Sequence, residues 1–172
     1  MNETLKVLKE RRSIRKYKPE QITDGELNAI LEAGTWAASA KNLQTPAMVV
    51  VQDKETIDRM SRLNAEIQGV TTDPFYGAPT VVVVLADGTK PNWLQDGSLV
   101  MGNLMTAAAA MGIGSCWINR AMELFDKAEG KELLKKWGLP ETLRGVGNCV
   151  LGYIDGPMPE PHPRKDGWIF RV

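Results

Sequence analysis

The strongest constraint on the fold is an alternation of apolar runs and helical segments through the middle of the chain. Apolar runs begin at Ala47, Gly77, Ile113 and Val146, and turn residues bound them, which is typical of buried strands. Segments with a helical period lie between them. Because such helices pack on the faces of a shared sheet, we predict a central sheet of four or five strands. The pattern leaves the strand directions open.

The helical segments are predicted from apolar periodicity and from their end signals. One begins at Thr23, where Thr23 and Glu26 have the spacing of a capping box. The others cover residues 3–10, 53–69, 92–111 and 128–138. In the segment 92–111 the period places five residues inward: Leu94, Met101, Leu104, Met105 and Ala108. The proline-rich tail from Asp155 cannot be helical, and it ends in a strand-like run at 168–172.

Length and composition indicate one domain that spans residues 1–172. The chain is 43% hydrophobic and 24% charged, and its 21 basic residues balance 21 acidic ones, so no overall charge favours nucleic acid or an anionic membrane. The start of the chain has no apolar signal region, and its apolar runs are too short to cross a bilayer. We expect a cytoplasmic protein without a membrane or nucleic-acid partner, and with Cys116 and Cys149 reduced in the core.

Several chemistries lack the residues they require. The single histidine, His162, lies between prolines, so a nucleophilic triad is disfavoured, and one histidine with two cysteines makes a poor metal set. No phosphate-binding loop of the GxxxxGK[ST] type is present. The motif "GIGSCW" at Gly112 has Trp117 in place of the third glycine of a dinucleotide-binding fingerprint.

The clearest candidate site is the basic segment, residues 11–18, which contains five of the chain's basic residues. In an extended segment, alternate residues point to one side, so Arg11, Ser13 and Arg15 can converge on a phosphate or another anion. Arg12 and Ile14 would face the other way. A solvated basic strip, or a phosphorylation site at "RRS", would have the same pattern.

Two further motifs suit a flat, heteroaromatic ligand. "AASAKNLQTP", residues 37–46, offers the amides of Asn42 and Gln44 after a stretch of small residues. "GIGSCWIN", residues 112–119, places glycines beside a strand, where a backbone can approach a ligand closely. An ordinary helix end and an ordinary core strand would also account for these two motifs.

Together and in this order, these motifs resemble the FMN-dependent nitroreductase family. The matching stretches are "RRSIRKYKPEQIT", "AGTWAASAKNLQTP", "YGAPTVVVVLA", "QDGSLVMGNLMTAAAAMGIGSCWIN" and "VLGYIDG" with the basic "PRK" after it. The resemblance implies an α+β fold of three α/β/α layers around a mostly antiparallel sheet of four or five strands. It also implies an intertwined homodimer with FMN at the subunit interface, and a tail, residues 155–172, that wraps the dimer.

The resemblance implies roles for individual residues. Arg11 and Ser13 would bind the phosphate or ribityl chain, Arg15 the pyrimidine edge, and the backbone of 117–119 the flavin near N5. The partner subunit would supply Ala38, Ser39 and Asn42, although many relatives have proline where this chain has Ala38. The full implied set of cofactor-binding residues is Arg11, Arg12, Ser13, Arg15, Ala38, Ser39, Asn42, Gln44, Asn64, Trp117, Ile118, Asn119, Arg164 and Lys165.

The resemblance further implies a reductase that takes electrons from NADH or NADPH and passes them to nitroaromatics, quinones or similar small acceptors. Donor and acceptor would use one cleft in turn, with protons from water, so neither a dinucleotide domain nor a catalytic histidine or metal is needed. Two alternatives share the fold or the cofactor. One is a flavoprotein for dehalogenation, flavin fragmentation or dehydrogenation, and the other is an FMN-binding protein without enzymatic activity.

Overall fold

The computed structural model describes residues 2–172 as helices on both sides of one sheet. In chain order the elements are α1 (Glu3–Glu10), α2 (Asp24–Thr35), a 3-10 turn (Ala40–Asn42), β1 (Pro46–Val51), α3 (Lys54–Gln68), β2 (Thr80–Asp87), α4 (Trp93–Ala110), β3 (Gly114–Ile118), α5 (Ala121–Asp126), α6 (Ala128–Lys136) and β4 (Leu143–Gly152). No helix among the described residues is both long and apolar enough to cross a membrane.

The sheet has four strands in the order β1-β2-β4-β3, and every neighbouring pair is antiparallel. In register, Val83 of β2 lies between Val49 of β1 and Asn148 of β4, and Asn148 in turn faces Ile118 of β3. The predicted α+β fold with an antiparallel sheet is therefore confirmed. The sequence pattern left the strand directions open, because they depend on pairing between segments that are distant in the chain.

Strand β2 divides the core into two layers because its side chains alternate between the sheet faces. Val81, Val83 and Leu85 pack in one cluster with Met60 of α3 and Leu133 of α6. Val82, Val84 and Ala86 pack in the other, with Ile30 of α2 and Leu104 of α4. Residues 81–86 are all 0% exposed, so helices cover both faces and the predicted three-layer arrangement is confirmed.

The predicted capping box begins α2. The Thr23 hydroxyl accepts from the Glu26 amide at 3.2 Å, and the Glu26 carboxylate accepts from the Thr23 amide at 2.8 Å. The same carboxylate also accepts a 2.7 Å bond from the Tyr153 hydroxyl. These hydrogen bonds hold the pKa of Glu26 below its ordinary value, and the bond from Tyr153 has the largest effect. The start of α2 is thereby joined to the chain just beyond β4.

Other predicted elements differ in detail. Helix α5 was not predicted, because its six residues are too few to show a helical period. The fourth strand was predicted to begin at Val146, whereas it begins at Leu143. Leu94, predicted to face inward, is exposed near the start of α4. The terminal run 168–172 forms no strand within its own chain. Both cysteines are free and buried, as predicted.

Candidate cofactor site

The basic segment leaves α1 at Arg11 and runs along the edge of β3. Ser13 forms a parallel bridge with Ser115, and the Ile14 amide donates to the Ser115 carbonyl at 2.9 Å. Further on, Tyr17 forms an antiparallel bridge with Ile154. Because Ile14 and Tyr17 are buried, they hold the segment in place and leave its polar side chains at the sheet edge.

Three polar side-chain atoms in or beside this segment are buried without a partner. They are Nη1 of Arg11, Nε of Arg12 and the hydroxyl oxygen of Ser115, the residue that is bridged to Ser13. Burial raises the pKa of the Cys149 thiol to about 12, and the positive charge of Arg11 acts in the opposite direction. A buried guanidinium nitrogen without an acceptor is costly. The residues present therefore fit an anionic group such as a phosphate.

Arg12 is engaged differently from Arg11. Its Nη1 donates to the carbonyl oxygens of Lys9 and Arg11, both at 2.8 Å, at the C-terminal end of α1. Cations at this end of a helix satisfy its free carbonyls and complement its dipole. The geometry thus gives Arg12 a helix-capping role, and its membership of the cofactor set stays a prediction.

Arg15 is exposed further along the segment, with its Cζ 6.0 Å from the centroid of the Tyr76 ring. This distance lies at the outer limit of a cation–π contact. The described part of the chain gives Arg15 no hydrogen bond and no ion pair. Its guanidinium is therefore free to bind a ligand.

The 3-10 turn and the residues around it contain the densest backbone strain in the structure. Lys41, Asn42 and Gln44 have φ values of 52°, 54° and 50°, a region that residues other than glycine and asparagine rarely adopt, so Lys41 and Gln44 carry the strain. Such strain persists only where surrounding contacts impose it, and it clusters at functional sites. Here the amide of Ala40 donates to the buried carboxylate of Asp96 at 2.9 Å.

The polar side chains of this turn bond to one another. The Gln44 side chain donates to Oδ1 of Asn42 at 3.0 Å, and the Gln44 amide donates to the Ser39 hydroxyl at 3.1 Å. Ala38, Asn42 and Gln44 are exposed. Ala38 and Gln44 line a cavity of about 150 Å³ beside α2 and β1, and no residue of the basic segment lines it. A role for them at a cofactor held by another subunit remains a prediction.

The residues after β3 are held by α3. Asn64 is 0% exposed, donates to the Asn119 carbonyl at 2.8 Å and accepts from the Gln68 side chain at 2.5 Å. The next residue, Arg120, has a φ of 72°. The Asn64 side chain therefore positions the backbone at Asn119, where the prediction placed a flavin contact.

Trp117 and Ile118 belong to β3 itself. The Trp117 ring lies so close to Gly147 that a Cβ there would come within 2.8 Å of it, which requires glycine at this position. The indole Nε1 is buried without a partner. Ile118 is buried in the layer beneath α3. Both residues thus hold the strand end in place through packing.

Arg164 and Lys165 are exposed in the tail. Lys165 lies 5.8 Å from the ring of Trp168, and Arg164 has no hydrogen bond or ion pair with the residues described. Their binding to a phosphate therefore stays a prediction.

Sequence reasoning missed several residues that the structure places in or near these features. They are Tyr76, Asp96, Ser115, Arg120 and Asn148. Asn148 was detectable, because it is a polar residue in an apolar strand run, and both polar atoms of its 0%-exposed side chain lack a partner. The positive φ values of Tyr76 and Arg120 have no sequence signal, since neither is glycine.

Comparison with known proteins identifies the family. The model of the nitroreductase family matches residues 8–72 and 64–153, and the chain belongs to this family. A protein of Archaeoglobus fulgidus whose name includes NAD(P)H nitroreductase is 33% identical over 159 residues, covering 89% of this chain and 86% of that protein. An NADPH-flavin oxidoreductase of Vibrio harveyi is 30% identical over 175 residues, covering 95% and 70%.

Solved structures agree with this assignment. A nitroreductase with bound FMN from Bacteroides fragilis superposes with a TM-score of 0.92 at 31% identity and covers 100% of both chains. A nitroreductase with bound FMN from Desulfitobacterium hafniense gives a TM-score of 0.89 at 30% identity, covering 100% of this chain and 99% of the other. The fold of this chain is therefore the nitroreductase fold.

Proposed function

We propose that this protein is an FMN-dependent oxidoreductase that uses NADH or NADPH to reduce nitroaromatics, quinones or related small acceptors. The observation that carries the proposal is the buried Arg11 nitrogen without an acceptor, beside Ser13 and the free Ser115 hydroxyl. A dianionic phosphate would satisfy both groups through charge-assisted hydrogen bonds. The FMN-bound relatives of similar length support FMN as the source of that phosphate.

The proposed binding mode divides the basic segment. Arg11 and Ser13 bind the phosphate end, and Arg15 lies at the pyrimidine edge, where a fixed cation favours negative charge on the ring system. The Asn119 backbone, held by Asn64, borders the ring system. Arg164 and Lys165, exposed in the tail, would add two further cations to the phosphate site.

FMN supplies the electron transfer between nicotinamide and acceptor, as it does in other flavoproteins. The chain contributes binding, orientation and charge. Donor and acceptor bind in turn at the same open site, so no second nucleotide domain is required. Proton delivery from water agrees with a site that contains no buried histidine, since His162 is exposed in the tail.

The functional unit that we propose is a homodimer of single-domain chains, residues 1–172. Trp168, Ile169 and Phe170 are 65%, 80% and 84% exposed, which is unusual for three consecutive large apolar residues. Strand β1 pairs only with β2 among the described strands and offers a free edge. Pairing of the tail, residues 155–172, with the partner's sheet would cover both. A cytoplasmic location, also proposed, agrees with two free, buried thiols.

The cofactor proposal is tested by titrating the purified, flavin-free protein with FMN. Binding should quench flavin fluorescence and saturate at one FMN per chain, with riboflavin, which lacks the phosphate, as the matched control. Riboflavin should bind far more weakly. A protein that FMN cannot reconstitute, or that binds riboflavin equally well, would contradict the phosphate role of Arg11.

A further inference from the structure

Tyr76 has a backbone conformation that its side chain disfavours. Its φ is 57°, in the left-handed region that bulky residues seldom adopt. Tyr76 is 38% exposed, so core burial does not compensate for this conformation. Strain of this kind points to a function when the surroundings impose it.

The surroundings of Tyr76 do impose it, through Asp73. One carboxylate oxygen of Asp73 accepts from the Phe75 amide at 2.8 Å and from the Ser61 hydroxyl at 2.5 Å. The other oxygen accepts from the Gly77 amide at 2.6 Å. Phe75 is 0% exposed and anchors the turn in the core. The backbone on both sides of Tyr76 is therefore fixed.

This turn presents the Tyr76 ring to Arg15. The Arg15 Cζ lies 6.0 Å from the ring centroid, and within residues 2–172 Arg15 has neither a hydrogen bond nor an ion pair. Without the ring, a long exposed side chain would sample many rotamers. The ring is thus placed where it can restrict the Arg15 guanidinium before a ligand binds.

We propose that Tyr76 is a positioning residue that holds the Arg15 guanidinium at the pyrimidine edge of the cofactor, with Asp73 fixing the turn that presents it. The inference rests on the proposed FMN function. Since reduced flavin carries more negative charge near that edge than oxidised flavin, a held cation favours the reduced form. Tyr76 therefore contributes to the redox potential through Arg15.

The informative variant is Tyr76→Gly. Glycine adopts a φ of 57° without a Cβ clash, so the turn and its Asp73 bonds should persist and the melting temperature should not fall substantially. We expect binding of oxidised FMN to stay nearly unchanged and binding of reduced FMN to weaken about fivefold, the most that an exposed cation–π contact of about 1 kcal/mol allows. The fivefold difference corresponds to a midpoint potential lower by about 20 mV. Tyr76→Phe keeps the ring and should retain the wild-type potential.

A double-mutant cycle with Arg15→Gln shows whether Tyr76 acts through Arg15. In the Arg15→Gln background, Tyr76→Gly should leave the potential unchanged. An equal shift in both backgrounds, or no shift in the wild-type background, would overturn the inference. These outcomes are distinct from failure of the proposed function, which would appear as wild-type protein that does not bind FMN.

Discussion

The side-chain amide of Asn64, on α3, donates a 2.8 Å hydrogen bond to the backbone carbonyl of Asn119, at the end of β3. The two residues are 55 positions apart in the chain. Asn64 is fully buried and Asn119 is exposed, so the core holds a surface backbone segment in a fixed position. Through this hydrogen bond, α3 fixes the backbone that would border the flavin, and the Asn64 side chain itself need not contact the flavin.

Replacement of Asn64 by leucine should lower the free energy of unfolding by about 1–3 kcal/mol, because both hydrogen bonds of the buried Asn64 side chain are lost, at about 0.5–1.5 kcal/mol each. Urea denaturation measures this loss. Gln68→Leu is the matched control, since Gln68 donates to Asn64 from an exposed position. It should cost less than about 1 kcal/mol. Similar losses in both variants would show that Asn119 does not depend on Asn64.

The two neighbouring arginines of the basic segment should differ in their effect on FMN affinity. Arg11→Ala removes the buried nitrogen that lacks an acceptor, so the FMN dissociation constant should rise about 10- to 100-fold. Arg12→Ala should raise it less than about threefold and instead weaken the end of α1. Fluorescence titration gives both constants. Equal losses of affinity would contradict the division of roles along this segment.

Local signals in the sequence predicted the parts of the fold that depend on local chemistry. The capping box at Thr23 involves only four consecutive residues. The consecutive valines of β2 indicated a strand that is buried on both faces. Helix α5 was missed because its six residues depend on packing against β4 for their conformation. Leu94 was assigned inward from the helical period alone, although at this end of α4 the residues that face the core are Trp93 and Gly97.

Glu26 should make stability depend on pH in the acid range. Hydrogen bonds from Tyr153 and Thr23 lower its pKa in the folded state, so the folded state binds its proton less readily than the unfolded chain. The contribution is present above the ordinary glutamate pKa of about 4.3 and is lost as the pH falls through the lowered value. Thermal unfolding of wild type and Glu26→Gln should differ most near neutral pH and converge in acid. If the difference in melting temperature between the two proteins did not change with pH, the Glu26 carboxylate would not be the cause of the pH dependence.

Removal of the terminal apolar run should weaken the proposed dimer. A variant that ends at Gly167 loses Trp168, Ile169 and Phe170, which are exposed in the single chain. If they are buried against the partner, each contributes about 1.5–3 kcal/mol, and the dimer dissociation constant should rise at least tenfold. Sedimentation of both proteins over a concentration series measures this change. An unchanged constant would show that the tail does not hold the dimer.

The candidate site was predictable only as far as residue types and spacing carry information. Arginines and a serine at alternate positions indicated an anion site, and the structure places a buried, unpaired Arg11 nitrogen there. The sequence could not show that Asp96 supports the 3-10 turn, because its carboxylate accepts from the amide of Ala40, which lies 56 residues away in the chain. Likewise, the strained backbone of Tyr76 results from bonds made by Asp73, which no propensity scale contains.

The central claim, that this chain passes electrons from a nicotinamide through FMN to a small acceptor, is tested most directly by anaerobic stopped-flow spectroscopy of the FMN-loaded protein. Mixing with NADH or NADPH should bleach the visible flavin absorbance. Subsequent mixing with a nitroaromatic or a quinone should restore it, at a reduction rate that does not depend on the acceptor. If FMN is bound and neither nicotinamide bleaches it, the assignment as an NAD(P)H oxidoreductase is wrong.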